Sequence, residues 1–166
     1  MNSKIKMQKS KLDEIYMSEA LKEARTAFEK DEVPVGAVIV YKNKIIARAH
    51  NQMRTLNDPT AHAEMIAITS ATGVLKDMRL LDCTLYVTIE PCSMCAGALV
   101  LARLKRIVYG ADDPKTGACG SVLNIVYNKK LNHRIKVTKG VLEAECSQII
   151  QEFFQTKRRL KVLMSN

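Results

Sequence analysis

Two short stretches far apart in the chain, His62-Ala63-Glu64 and Pro91-Cys92-Ser93-Met94-Cys95, constrain the fold more than anything else in it. Each falls where a helix is predicted to start after a strand or loop. Pro91 suits the first helical position, where a missing N–H costs nothing and φ is already helical. Cys92 then belongs to the first turn, and Cys95, three residues on, shares its face. The positive end of the helix dipole lowers thiol pKa, so both sulfurs can be thiolates near neutral pH. Two thiolates leave a tetrahedral zinc short of ligands; His62 can supply a third, and the chain offers no convincing fourth. Three protein ligands plus an open position are the pattern of a catalytic zinc. A redox dithiol would use the same two Cys, but it leaves His62 and Glu64 without a task. Two separate helix starts must therefore meet at one point.

Glu64 also has a competing reading as a capping-box residue. The best cap nearby is Thr60, whose box partner is Ala63, one place before Glu64; Asp58 followed by Pro59 fits no better. A carboxylate beside a metal-bound water has a clear task, to take the water's proton and deliver it to the leaving group. His50 and His133 have no ligand spacing to the Cys pair and are assigned surface or hydrogen-bonding roles. Cys83, Cys119 and Cys146 are expected to be small buried residues, and the Met residues core filler.

Apolar residues at Met17, Ala20, Leu21, Ala24 and Phe28 predict an amphipathic helix over 12–28. Glu32-Val33-Pro34 ends it, because the residue before a proline is pushed toward extended geometry. Strands are predicted over 35–41 and 44–49 around a polar turn at Lys42-Asn43, then over 85–88, 106–110 and 134–138. Helices are predicted over 61–72, over 93–104 as a buried one, and over 143–161. The last has Ile149, Ile150, Phe153 and Phe154 inward and Lys157, Arg158, Arg159 and Lys161 at its end. Strands separated by helices after a leading hairpin indicate a layered α/β domain, its mixed sheet covered on both faces.

A length of 166 residues suits one domain. The longest apolar stretches, such as 95–102, fall far short of the roughly 18 residues a membrane-spanning helix needs. Residues 1–11 read as a flexible basic amino end, with no apolar run of a secretory signal behind them. Five Cys are an odd count for a disulfide framework, so the expected compartment is the reducing cytoplasm. A formal net charge of +9 favours a polyanionic partner, nucleic acid ahead of a membrane surface. The cations ending the last helix are placed to contact phosphates.

His62-Ala63-Glu64 with Pro91-Cys92-Ser93-Met94-Cys95 is similar to the H-x-E…P-C-x-x-C signature of the zinc-dependent cytidine and deoxycytidylate deaminases. The remainder narrows the resemblance to the bacterial tRNA-specific adenosine deaminases. Val33-Pro34-Val35-Gly36-Ala37, Asn51, Asp58-Pro59-Thr60-Ala61, Thr88-Ile89-Glu90 and Val108-Tyr109-Gly110-Ala111 carry it, with Asp113-Pro114-Lys115-Thr116-Gly117 and Asn132-His133-Arg134. It runs from about Tyr16 to Arg159, so that 1–166 reads as a single deaminase domain.

The resemblance implies hydrolytic deamination of adenosine to inosine at the wobble position of a tRNA anticodon. It implies a three-layer α/β/α, cytidine-deaminase-like fold with a mixed five-stranded sheet flanked by helices, and a homodimer with one zinc per subunit. His62, Cys92 and Cys95 would hold the zinc and Glu64 would shuttle the proton. Asn51 would bond the flipped base, and the backbone of Ala63 would line the same pocket. Asp113, Lys115 and Asn132 would lie near the anticodon loop, and Phe153 with Arg158 would help close the pocket. The chain departs from the family in its extended Lys-rich amino end and in Cys119, where a small residue is usual. A free-base or nucleoside deaminase for guanine or cytosine would share the motif and fold. A more remote alternative is a non-catalytic, zinc-stabilised RNA-binding module, which requires a closed four-ligand site. The Asp113–Gly117 segment and the basic last helix favour RNA, because a small neutral substrate needs no cationic surface.

Overall fold

Lys42 and Asn43 both adopt positive φ, 48° and 60°, the backbone that a two-residue hairpin turn requires. They join β1 (Gly36–Tyr41) to β2 (Lys44–His50) in the computed structural model, which describes residues 3–165. On its other edge β1 pairs antiparallel with β3 (Cys83–Ile89). Then β4 (Arg106–Ala111) and β5 (Lys136–Lys139) follow, each parallel to its neighbour, in the order β2-β1-β3-β4-β5. The helices among the described residues are α1 (Ser3–Glu29), α2 (Met53–Leu56), α3 (Ala63–Leu75), α4 (Ser93–Leu101) and α5 (Glu143–Met164).

Alternation along the strands assigns the two faces. Ala37, Ile39, Leu85, Val87, Ile107 and Tyr109 pack with Ala67, Ala71, Ala96 and Leu99 of α3 and α4. Val38, Val40, Tyr86 and Val108 pack with Met17 and Ala20 of α1 and Cys146 of α5. The result is the expected three-layer α/β/α arrangement around a mixed five-stranded sheet. At Gly36 the approach is close: a Cβ there would lie 2.0 Å from the carbonyl oxygen of Ala20.

One buried ion pair ties α1 across the sheet. Arg106 donates to both oxygens of Asp13, at 2.8 and 2.6 Å. The Tyr86 hydroxyl donates to the same carboxylate at 2.9 Å, and Arg106 also donates to the Thr138 hydroxyl at 2.9 Å. Four elements, α1, β3, β4 and β5, thus share one network.

Element boundaries depart from the periodicity in instructive places. Helix α1 starts at Ser3 rather than near Leu12, so residues 3–11, expected as a flexible arm, form its first turns. The rest of that arm, Met1 and Asn2, lies outside the described residues. The inward face of α1 uses Ala27, with Leu21 and Phe28 only partly covered. Helix α2 has no counterpart in the apolar pattern, because none of its residues is buried. No helix among the described residues is long and apolar enough to cross a membrane.

Replacing Asp13 by Ala strands the Arg106 charge in a site where its side chain is only 13% exposed. Loss of one partner of a buried pair typically costs about 3–5 kcal/mol. Denaturant unfolding of Asp13→Ala should show a loss of that order, whereas a midpoint like the parent's would mean the pair contributes nothing.

Candidate active site

Strands β2 and β3 are each antiparallel to β1 and so run in the same direction, ending at the same edge of the sheet. Beyond β2 the chain leads through α2 to the start of α3, and beyond β3 it enters α4 directly. His62 is the N-cap of α3 and Cys92 the N-cap of α4, both extended, with ψ of 151° and 175°. This corrects the expected caps. Thr60 lies outside the helix because its N–H and hydroxyl both donate to Asp58, at 2.8 and 2.7 Å. Pro91 precedes the cap instead of opening the helix, and Cys92 stands before the first turn rather than in it.

The caps bring the predicted donors together. His62 Nδ1 lies 3.7 Å from Cys92 Sγ and 3.6 Å from Cys95 Sγ, and all three donor atoms fall within 4.8 Å of one another. Tetrahedral zinc with ordinary Zn–S and Zn–N bonds would place sulfur and nitrogen about 3.6 Å apart. The donor set therefore fits that ion in spacing and in chemistry. Hydrogen bonds from Cys95 and then His62 hold the Cys92 thiol down at about 4, while the same bond to Cys92 pushes Cys95 up. The hydrogen bond with Cys92 likewise raises His62.

Glu64 stands in the first turn of α3, 3% exposed, and burial raises its pKa to about 7. It lines a cleft of about 220 Å³ with His62, Cys92, Asn51, Val35 and Met53. Asn51 Oδ1 accepts the N–H of Ala63 at 2.9 Å, satisfying one of the amides that a helix start leaves unpaired. No buried side-chain nitrogen or oxygen among the described residues lacks a partner. The Asn51 amide nitrogen, which makes no bond within them, is therefore open to the cleft. Ala63 is fully buried and its N–H is already taken, so it braces Asn51 rather than facing the cleft itself.

Asp113 also lines this cleft. Its carboxylate accepts the N–H groups of Lys115 and Thr116 at 2.9 and 3.2 Å. Burial opposes its ionisation, but hydrogen bonds from Thr116 and Lys115 hold its pKa below the usual carboxylate range. Lys115 is exposed on a second, adjoining cleft of about 420 Å³ that Val33, Pro114, Ile150 and Phe154 border. Asn132 and Arg158 are exposed and line neither cleft.

Phe153 faces inward as expected and borders neither cleft, and it is Phe154 that departs from the expectation. Phe153 is 5% exposed and packs edge-on against Phe28 of α1, ring centres 5.5 Å apart. The next residue, Phe154, is 44% exposed and borders the outer cleft. One residue turns a helix by about 100°, so the two rings cannot both face inward. Of the terminal cations, Lys157 is already paired with Asp31 and lies over the Phe153 ring. His50 meets Glu23 and Lys30, and His133 meets the Leu104 carbonyl. Cys83, Cys119 and Cys146 are buried, which pushes their thiols up to about 11, 12 and 12.

Sequence reasoning missed Glu32, Met53 and Phe154. Glu32, 1% exposed, accepts the N–H groups of Arg54 and Thr55 at 3.2 and 2.7 Å and the Thr55 hydroxyl at 2.9 Å. It thereby pins α2 and places Met53 at the cleft. Nothing in the run Glu32-Val33-Pro34 signals those distant partners.

The model of the MafB19-like deaminase family matches residues 12–158. The tRNA-specific adenosine deaminase of Bacillus subtilis (strain 168) is 50% identical over 149 residues, covering 90% of this chain and 92% of that protein. That of Aquifex aeolicus (strain VF5) is 50% identical over 145 residues, covering 87% and 95%. A solved structure from work on A-to-I editing by tRNA:A34 deaminases at the wobble position superposes with a TM-score of 0.78. It is 47% identical and covers 81% of this chain and 97% of that one. Guanine deaminase from Bacillus subtilis superposes with a TM-score of 0.57 at 39% identity, covering 68% and 66%.

The two phenylalanines separate stability from cleft chemistry. Phe153→Ala should lose about 3–5 kcal/mol in denaturant unfolding, as a buried aromatic does, and Phe154→Ala should lose far less. Equal losses would contradict the placement of the two rings.

Proposed function

The chain belongs to the tRNA-specific adenosine deaminases, and from that membership we propose that it hydrolyses adenosine to inosine at the wobble position of a tRNA anticodon. The observation that carries the reading is the three-donor group of His62, Cys92 and Cys95 with Glu64 beside it, in a cleft bordered by Asn51. A zinc ion held by those donors would supply a water activated at neutral pH. An adenosine in a loop has little stacking to lose and can be extruded into the cleft. The Asn51 amide donates to the base and holds it over Glu64. Glu64 takes the proton of the attacking water and gives one to the ring nitrogen beside carbon 6. It then takes the remaining proton from the new hydroxyl on carbon 6 and delivers it to the departing amine, so that water enters, the C–N bond breaks, ammonia leaves and the carbonyl of inosine remains. Burial favours the protonated form of its carboxyl, and the short sequence distance from His62 keeps it beside the reacting atoms, where it can pass protons between them.

The same reading includes a homodimer, residence in the cytoplasm and contact with the anticodon stem-loop through Asp113, Lys115, Asn132 and Arg158. The net charge of +9 supports contact with RNA. Asn132 and Arg158, away from both clefts, would meet RNA outside the base pocket. Three donors rather than four support chemistry over a closed structural site. The higher identity and coverage of the tRNA deaminases favour them over guanine deaminase.

Glu64→Gln should retain stoichiometric zinc by elemental analysis yet form inosine in a wobble-adenosine tRNA transcript roughly 10²–10⁴-fold more slowly. Near-parental turnover in metal-loaded Glu64→Gln would refute the role. Cys95→Ala should lose the metal itself. Affinity for the stem-loop should fall steeply between low and physiological salt; a flat response would argue against phosphate contact. Free adenosine, guanine and cytosine, assayed for ammonia, serve as the competing substrates.

A further inference from the structure

Glu90 is a buried carboxylate that the reaction above does not use. It is 1% exposed, between the end of β3 and Pro91-Cys92, and among the described residues it pairs with no cation. Its partners all come from one irregular segment. Oε2 accepts the Asp113 N–H at 3.0 Å and the Ser121 hydroxyl; Oε1 accepts the N–H groups of Cys119 and Ser121 at 2.9 and 3.1 Å. Two carboxylate oxygens offer about four acceptor sites, so this segment fills them. Immediately after Glu90, the Pro91 carbonyl accepts the Ala118 N–H at 2.9 Å, and Cys92 forms an isolated bridge with Gly117.

We propose that Glu90 is a positioning residue for deamination: its carboxylate is the template on which segment 113–121 folds, fixing the cleft wall that Asp113 and Thr116 supply. Backbone N–H groups of an irregular segment need partners once buried, and a carboxylate gives each of them a charge-assisted bond. Gly117 shows how tightly the segment closes on that template. A Cβ at Gly117 would lie 2.3 Å from Glu90 Oε2 and 2.5 Å from the Asp113 carbonyl oxygen. The strip Glu90-Pro91-Cys92 therefore holds the substrate wall with its first residue and presents a metal donor with its third. Wall and donor stay in register because they share that strip.

The kinetic consequence rests on the deaminase reading; the structural one does not. Glu90→Gln keeps the volume but turns an N–H₂ donor toward groups that are themselves donors. Amide hydrogen exchange at Asp113, Cys119 and Ser121 should accelerate about tenfold or more, while β3 and α4 exchange as in the parent. With zinc content unchanged, KM for a wobble-adenosine stem-loop should rise on the order of tenfold and kcat should fall by less than about threefold. Gly117→Ala, which drives a methyl into the same carboxylate, should give the same KM rise, and Ser121→Ala, which removes one donor, a smaller one. The double variant Glu90→Gln/Gly117→Ala should be no worse than the worse single change. Parental exchange in segment 113–121 of Glu90→Gln would overturn the proposal. So would acceleration spread evenly over β3 and α4, or a loss of kcat that tracks zinc loss alone. If Glu90→Gln does not fold, Ser121→Ala and Gly117→Ala carry the same exchange and KM tests. If the parent forms no inosine, the function fails, and the exchange measurement still decides the role of Glu90.

Discussion

Everything at the site depends on two helix N-termini being aimed at one point. That convergence is a property of the sheet. Because β1 lies antiparallel to both of its neighbours, β2 and β3 run the same way and end at one edge. Each is followed there by a helix whose cap residue is a donor, His62 on α3 and Cys92 on α4. Cap residues are extended and stand at the mouth of the helix, so their side chains can reach outward to a shared centre. The positive ends of both dipoles then face the two sulfurs and the carboxylate.

The site's walls are less regular than its floor, and buried carboxylates shape them. Glu32 gathers the backbone of α2, and Glu90 gathers the segment that carries Asp113 and Thr116. Each satisfies N–H groups that no helix or strand ladder serves. Glu64 is equally buried but has no comparable set of loop donors, and burial raises its proton affinity instead. One residue type thus meets two environments, a ring of backbone donors around Glu32 and Glu90 and a largely donor-free burial at Glu64.

Farther from the chemistry, the Asp13–Arg106 pair and Gly36 fix α1 on the sheet, and Phe28 with Phe153 joins α1 to α5. Asp31 adds a second tie, since its carboxylate receives both Arg54 and Lys157. The end of α1, the helix that carries Met53 and the basic end of α5 are thereby linked around the cleft.

Read linearly, the residues already specify the strand–helix alternation, the mixed sheet covered on both faces and the donor set His62, Cys92 and Cys95 with Glu64. These follow from hydropathy periods and from side-chain types at fixed short spacings, both local properties. Three-dimensional packing alone settles the cap assignments, the extension of α1 to Ser3, the choice between Phe153 and Phe154, and the partners of Glu32 and Glu90. Those depend on small rotations about a helix axis and on hydrogen bonds between residues remote in the chain, such as Glu90 with Ser121. A local pattern can say that such a carboxylate exists, but only the folded backbone delivers the N–H groups that give it a purpose.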